Sequence, residues 1–220
     1  PINGLVWMGT KEEMQERLIE KIEAGFSCIK LKIGVDLDGE LELLEYVRCR
    51  FGHDEVQLRV DANGAFSTGE AGEILRLLQS YDLHSIEQPI RAGQWKDMAR
   101  LCRISSLPIA LDEELIGINE LQEKERLLDE IKPSYLVLKP SLHGGMQGTR
   151  EWVELARQRG IGSWVTSALE SNVGLHAIAH LTTRLYGNHI EMAQGLGTGL
   201  LYTDNIDMPL CIKGQKLWHL

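Results

Sequence analysis

No stretch of this chain approaches the ~20 consecutive apolar residues needed to cross a bilayer, and no segment reads as a secretory leader. Cysteine is sparse. Cys28, Cys49, Cys102 and Cys211 are widely dispersed and form no C-x-x-C pair, which suits reduced thiols in a cytoplasmic protein. Positive charge is in deficit, 23 Lys and Arg against 32 Asp and Glu, for a formal net charge of −9. That balance argues against nucleic acid or an anionic membrane surface as a partner. No G-x-S-x-G elbow is present, which disfavours a serine hydrolase. The rest is ordinary for a single globular domain with a substantial core: 220 residues, 43% hydrophobic and 25% charged. The chain begins at Pro1 rather than Met, which predicts an excised or processed piece of a longer protein.

Against that background one pattern stands out. Charged residues close short apolar runs at nearly constant intervals: 29 residues from Lys32 to Asp61, 26 to Glu87, 25 to Asp112 and 27 to Lys139. About 26 residues is one strand plus one crossover helix. Strands are expected at 5–9, 28–34, 56–63, 83–88, 108–113, 135–140, 162–168 and 189–194. The helices between them are expected at 11–24 after the Thr10 cap, at 38–51, from Ser67 or Thr68, at 95–104, from Asn119 to 131, up to 159, and from Asn172 to about 186. Residues 195–220 read as Gly-rich and irregular.

Strict alternation predicts an α/β fold with a parallel sheet, and eight units close a TIM-type barrel, here (β/α)7β with the eighth helix missing or degraded. An open doubly wound sheet fits less well, because no Gly-rich phosphate turn follows the first strand. In the second strand Cys28, Lys30 and Lys32 share one face, and in the third Gln57, Arg59, Asp61 and Asn63 do. The opposite faces are apolar and suit the helices, so the polar sets should line the barrel interior.

Asp61, Glu87 and Asp112 then end three neighbouring strands. Three such carboxylates repel unless a cation sits among them, and an all-oxygen set favours a hard ion such as Mg²⁺. Lys32 and Lys139 end strands two and six, on opposite sides of an eight-membered ring. Lys30 beside Lys32, together with a dication, would lower the lysine pKa toward that of a usable base. The layout suits removal of a proton next to a substrate carboxylate.

The segments K-L-K at 30–32, D-A-N at 61–63, E-Q-P at 87–89, D-E at 112–113 and K-P at 139–140 resemble, in order and spacing, the barrel domain of the enolase superfamily, in particular its muconate-lactonizing subgroup. The resemblance covers essentially the whole chain. It implies Mg²⁺ (with Mn²⁺ as a substitute) on Asp61, Glu87 and Asp112, Lys32 as general acid/base, Lys139 as the opposing lysine, and Asn63 and Glu113 as supports. It also implies that 1–220 is a single catalytic barrel domain lacking the family's N-terminal capping domain.

Within the subgroup, S-A-L-E-S-N-V-G at 167–174 and G-L-G-T-G at 195–199 are similar to the o-succinylbenzoate synthases. Those are lyases of menaquinone biosynthesis that dehydrate a succinyl-hydroxycyclohexadiene carboxylate through an enediolate. Dipeptide epimerases of the subgroup carry D-x-D after strand eight, where this chain has Met192, Ala193 and Gln194. Alternatives on the same scaffold are an N-acylamino-acid racemase, a dipeptide epimerase or a muconate cycloisomerase; a different class is an inert barrel fragment. Ser171 and Asn172 open a helix, a natural seat for a substrate carboxylate, with Ser167 a weaker candidate. Gly195, Gly197 and Gly199 suit a phosphate cradle, substrate packing or a tight loop. His143, just beyond Lys139 at the rim, reads as a solvent-exposed loop residue, with a substrate contact as the alternative. His176 and His180 stand four apart on an outer helix, with no third ligand evident.

Overall fold

The computed structural model describes residues 1–187, 189–198 and 202–219. Seven strands pair in sequence order, all parallel: β1 (Gly4–Val6), β2 (Cys28–Lys32), β3 (Gln57–Asp61), β4 (Ser85–Glu87), β5 (Ile109–Leu111), β6 (Tyr135–Leu138) and β7 (Gly162–Val165). Among the described residues seven α-helices alternate with or follow them: α1 (Lys11–Glu23), α2 (Leu37–Arg48), α3 (Ala71–Leu78), α4 (Trp95–Ile104), α5 (Leu121–Ile131), α6 (Gly145–Gln158) and α7 (Asn172–Tyr186).

Local chemistry explains the boundaries. Thr10 and Glu13 form a reciprocal capping box at the start of α1. Met14 and Leu18, one turn apart, are its buried stripe. Ser67 does not cap α3 directly. It exchanges backbone-to-side-chain hydrogen bonds with Glu70, and the helix starts one residue later. Strands are shorter than expected because ladder bonding stops where each chain turns into its loop.

The ring closes without a full eighth strand, so the strand expected at 189–194 contracts to two residues. Gln194 bridges Ile2, and Gly195 bridges Thr166, both in parallel sense. The amide of Asn3 donates to Gln194 O at 2.9 Å, and that of Gly195 donates to Val165 O at 2.8 Å. Among the described residues no α-helix follows Gln194. The tail is not irregular throughout: β8 (Leu210–Lys213) and β9 (Lys216–His219) form an antiparallel hairpin. Its turn residue Gln215 accepts the Ile2 amide at 2.9 Å, which seats the hairpin at the base of β1. Among the described residues no helix is long and apolar enough to cross a membrane.

Two apolar regions result. The larger lies between sheet and helices and contains Ile29, Leu31, Leu58, Val60, Ile86, Leu136 and Leu138. The smaller fills the barrel interior around Ala110, Val137 and Trp164. Arg59, fully buried, points inward as expected. Its guanidinium stacks 4.1 Å from the Trp164 ring and donates to Ala193 O at 2.9 Å. Arg59 thus plugs the barrel floor, and the polar site sits above it.

Candidate active site

Strand register builds the site. Lys32 pairs with Asp61 across β2 and β3, and Asp61 pairs with Glu87 across β3 and β4. Three charged side chains from three strands therefore lie in one row. Glu87 pairs with Ala110, so Asp112 stands two residues further along β5. That stagger is the shear of a tilted barrel. Lys139 follows β6 on the same inward parity as Val137.

Ligand oxygens of Asp61, Glu87 and Asp112 lie within 4.8 Å of one another, and all three residues are 0% exposed. Lys30 Nζ donates to Asp61 Oδ2 at 3.0 Å and to Glu87 Oε2 at 2.7 Å. Lys32 Nζ donates to the same Asp61 oxygen at 2.7 Å and to Asn63 Oδ1 at 2.6 Å. Lys139 Nζ donates to Asp112 Oδ2 at 2.5 Å. Each outer carboxylate thus carries an amine from a different wall, and Lys30 fills the space between Asp61 and Glu87. The two neighbouring lysines share an anion, which offsets the repulsion expected between them.

The electrostatics are uneven. Burial would raise the Asp61 carboxyl, but Lys30 and then Lys32 outweigh it and hold Asp61 well below the usual carboxylate range. Burial pushes Glu87 up to about 8, against the pull of Lys30 and reinforced by the charges of Asp61 and Asp112. Burial likewise pushes Asp112 up to about 6, against Lys139. For Lys30, burial is outweighed by Glu87, Asp61 and Asp112, and its affinity for the proton rises. Glu87 Oε1 and Asp112 Oδ1 are buried with no hydrogen-bond partner. Two orphaned carboxylate oxygens beside a third carboxylate form a hard, anionic donor set that fits a divalent cation.

Supports surround the trio. Asn63, with φ of 44°, turns back to place Oδ1 on Lys32 and donates through Nδ2 to Glu113 Oε1 at 2.9 Å. Gln88 escaped the sequence reading. Its Oε1 accepts the Asp112 amide at 3.1 Å and the Glu114 amide at 3.2 Å, clamping the loop that carries Asp112. The available signal was its place next to Glu87: parity turns a residue there away from the interior, so a polar side chain needs a partner behind the strand end. His143 is not solvent-exposed. It is fully buried, and its Nδ1 accepts the Lys139 amide at 3.0 Å, fixing the turn after β6.

The model for enolase C-terminal domain-like proteins matches residues 13–214. The chain belongs to that family. It is 53% identical over 218 residues to the o-succinylbenzoate synthase of Desulfotalea psychrophila, covering 99% of this chain and 58% of the relative. The crystal structure of MenC from the same organism superposes with a TM-score of 0.90 at 52% identity, covering 99% of this chain and 59% of that one. The N-succinylamino acid racemase of Thermus thermophilus is 36% identical over 169 residues, 76% of this chain and 43% of the relative. The chain therefore spans a little over half the length of the first of these relatives.

In this enolase-like barrel a cavity of about 810 Å³ opens above the carboxylates, lined by Trp7, Lys30, Lys32, Asp61, Lys139, Ser167 and Gly195 among others. That volume suits a small organic ligand. Ser167 faces it while donating to Glu170 Oε2 at 2.7 Å. Ser171 and Asn172 are not in its lining. Asn172 turns away toward the following segment: its amide donates to Asn205 Oδ1 at 3.1 Å and its side chain to Ile206 O. Both nitrogen donors of Asn172 at that helix start are thus engaged within the chain. Gly195 and Gly197 line the cavity, whereas Gly199 lies outside the described residues.

Proposed function

We propose that this barrel carries the active site of an o-succinylbenzoate synthase, a Mg²⁺-dependent lyase that dehydrates 2-succinyl-6-hydroxy-2,4-cyclohexadiene-1-carboxylate in the menaquinone pathway of the cytoplasm. The carboxylate trio with one amine at each end is the observation that carries the reading. The 53% identity to the D. psychrophila o-succinylbenzoate synthase supports this choice of substrate. Asp61, Glu87 and Asp112 would hold the ion, which when bound stabilises negative charge growing on the substrate carboxylate.

The chain's own residues account for the proton movements. Lys32 Nζ, which lines the cavity, removes the proton from the ring carbon bearing the carboxylate. The ammonium so formed returns that proton to the departing hydroxyl, and water leaves. Lys139, held by Asp112, stands beside the substrate carboxylate from the other wall and stabilises the enediolate face as a cation. Asn63 and Asp61 orient Lys32, since both accept from its Nζ. The Trp7 ring lies over Lys32 Nζ with its centroid 5.7 Å away.

The segment after β7 favours dehydration over dipeptide epimerisation. Met192, Ala193 and Gln194 offer no carboxylate to a substrate ammonium. Gln194 is buried, and its side chain is committed to the Val165 amide and Met192 O. An N-succinylamino acid racemase needs no such carboxylate and is the second reading, favoured by the 36% identity to the T. thermophilus racemase.

The test uses the complete gene product, so that any capping domain is present. With Mg²⁺ and the cyclohexadiene acid it should yield o-succinylbenzoate, and Lys32→Ala should abolish turnover without changing the melting temperature by more than a few degrees. Turnover retained by Lys32→Ala overturns the assigned role. Exchange of the α-proton of an N-succinylamino acid with no dehydration activity establishes the racemase instead.

A further inference from the structure

A second group of metal-ligating side chains lies on the outside of the barrel, at the opposite chemical extreme from the acidic trio. His176 and His180 project from adjacent turns of α7, four residues apart on one helix face. The third imidazole that their spacing lacks is supplied from 39 residues further along the chain, by His219 at the end of β9. Ligand nitrogens of the three lie within 4.8 Å of one another. The His176 and His180 Nε2 atoms are 3.1 Å apart, with ring centroids at 4.6 Å. His219 lies 5.3 Å from His176 and 5.1 Å from His180 by ring centroid.

The three imidazoles come from two separate elements, and the His176 and His219 rings stack with an interplanar angle of 17°. They are not in the apolar core, since His180 and His219 are exposed and His176 is half-buried. Two nitrogens at 3.1 Å satisfy each other only if one ring donates and the other accepts, while His219 joins the group through ring contacts. A metal ion uses all three in their neutral forms. Nitrogen donors at about 2.0–2.1 Å from a tetrahedral Zn²⁺ stand a little over 3 Å apart, close to the 3.1 Å between the His176 and His180 nitrogens. The exposed side leaves the fourth position to water.

We propose that His176, His180 and His219 form a binding site for a borderline divalent transition-metal ion, Zn²⁺ in the first instance, that clips the C-terminal hairpin to α7. The ligand set decides the ion class. Neutral imidazoles suit Zn²⁺, Co²⁺, Ni²⁺ or Cu²⁺ and hold Mg²⁺ poorly, whereas the buried carboxylates have the reverse preference. The position gives the site its consequence. The hairpin follows α7 where the barrel has no eighth helix among the described residues, and Gln215 at its turn holds the amides of Ile2 and Ser27. An ion joining β9 to α7 therefore braces both sides of the seam that Gln194 and Gly195 bridge.

The experiment is a Co²⁺ and Zn²⁺ titration of the intact chain in saturating Mg²⁺, compared with His180→Gln and His219→Gln. Both positions are exposed, so neither substitution disturbs the core. The unsubstituted chain should show the intense visible bands of one four-coordinate Co²⁺, bleached by one equivalent of Zn²⁺, together with a rise in melting temperature on Zn²⁺ binding. Either substitution should weaken Zn²⁺ binding by roughly tenfold or more, given that even an outer-shell partner of a metal ligand is worth about 10–100-fold. Absence of the bands, their persistence in both variants, or their displacement by Mg²⁺ would overturn the assignment, the last by locating the ion at the carboxylates.

Discussion

Lys30→Met tests the electrostatic reading of the trio more sharply than removal of any carboxylate. Lys30 Nζ bonds to Asp61 at 3.0 Å and to Glu87 at 2.7 Å, and its side chain is 10% exposed. Breaking a buried pair by removing one partner costs about 3–5 kcal/mol. Two features place this case at the lower end: Asp61 keeps Lys32, and Glu87 escapes its charge by holding a proton. A loss near 3 kcal/mol corresponds to a fall of about 6–12 °C in melting temperature for a chain of this size.

The sign of the pH dependence follows from Glu87. Its folded-state pKa of about 8 lies above the ordinary 4.5. Stability from this group is therefore fully present below about pH 4.5 and is lost as pH rises toward 8. Without Lys30 the carboxyl is raised further, so the loss in the variant should be deeper at pH 8.5 than at pH 6. A dication replaces the missing charge: Mg²⁺ at 100 times its Kd adds about 2.7 kcal/mol, and it should bind the variant more tightly because no ammonium competes for the site. Urea melts at both pH values, with and without Mg²⁺, read all of this. A variant as stable as the parent at both pH values, or one that Mg²⁺ stabilises less than the parent, refutes the reasoning.

Three further predictions concern the frame around the site. A Cβ on Gly195 would lie 2.6 Å from Thr166 Cβ and closer still to its Oγ1; Gly195→Ala should therefore destabilise the chain by about 1–3 kcal/mol, measured by urea midpoint, and an unchanged midpoint would show that the seam yields freely. Gln88→Leu removes the acceptor for the Asp112 and Glu114 amides and should weaken Mg²⁺ binding about 10–100-fold in calorimetric titration; unaltered affinity would deny Gln88 any positioning role. Burial, aided by the charges of Lys139 and Lys124, pushes His143 down from 6.5 to about 3. The stability that this neutral histidine contributes is present above pH 6.5 and lost as pH falls toward 3. His143→Gln should flatten the stability profile across that window, and a profile parallel to the parent's would contradict the assignment.

Most of the barrel was legible because two periods coincide. Alternation along β2 and β3 separates Ile29, Leu31, Leu58 and Val60 from Lys30, Arg59 and Asp61, and the near-constant interval between charged strand ends reports strand plus helix. The convergence of Asp61, Glu87 and Asp112 followed from that register alone. Legibility failed where partners lie far apart in sequence. Nothing local marks Gln194 and Gly195 as the whole of an eighth stave, because two bridging residues leave no alternation to read. The hairpin at 210–219 alternates weakly and is half-exposed, so it looked like loop. His143 looked exposed because its partner, the Lys139 amide, becomes an acceptor-seeking donor only after β6 ends. Asn172 opens a helix as expected, but the 205–206 segment takes its backbone amide and its side-chain Nδ2.

The seam between Thr166 and Ile2 also bears on how such a protein can change. The ionic row is carried by β2 to β6, where ladders are continuous and a one-residue slip would turn every charge outward. The opposite wall of the cavity hangs on two bridging residues and a short hairpin. Drift in that wall can reshape what the cavity admits while the proton-handling row stays intact. New substrate preferences on this scaffold should therefore arise from residues 166–198, and selection experiments for altered specificity should recover their substitutions there rather than among the five strands opposite.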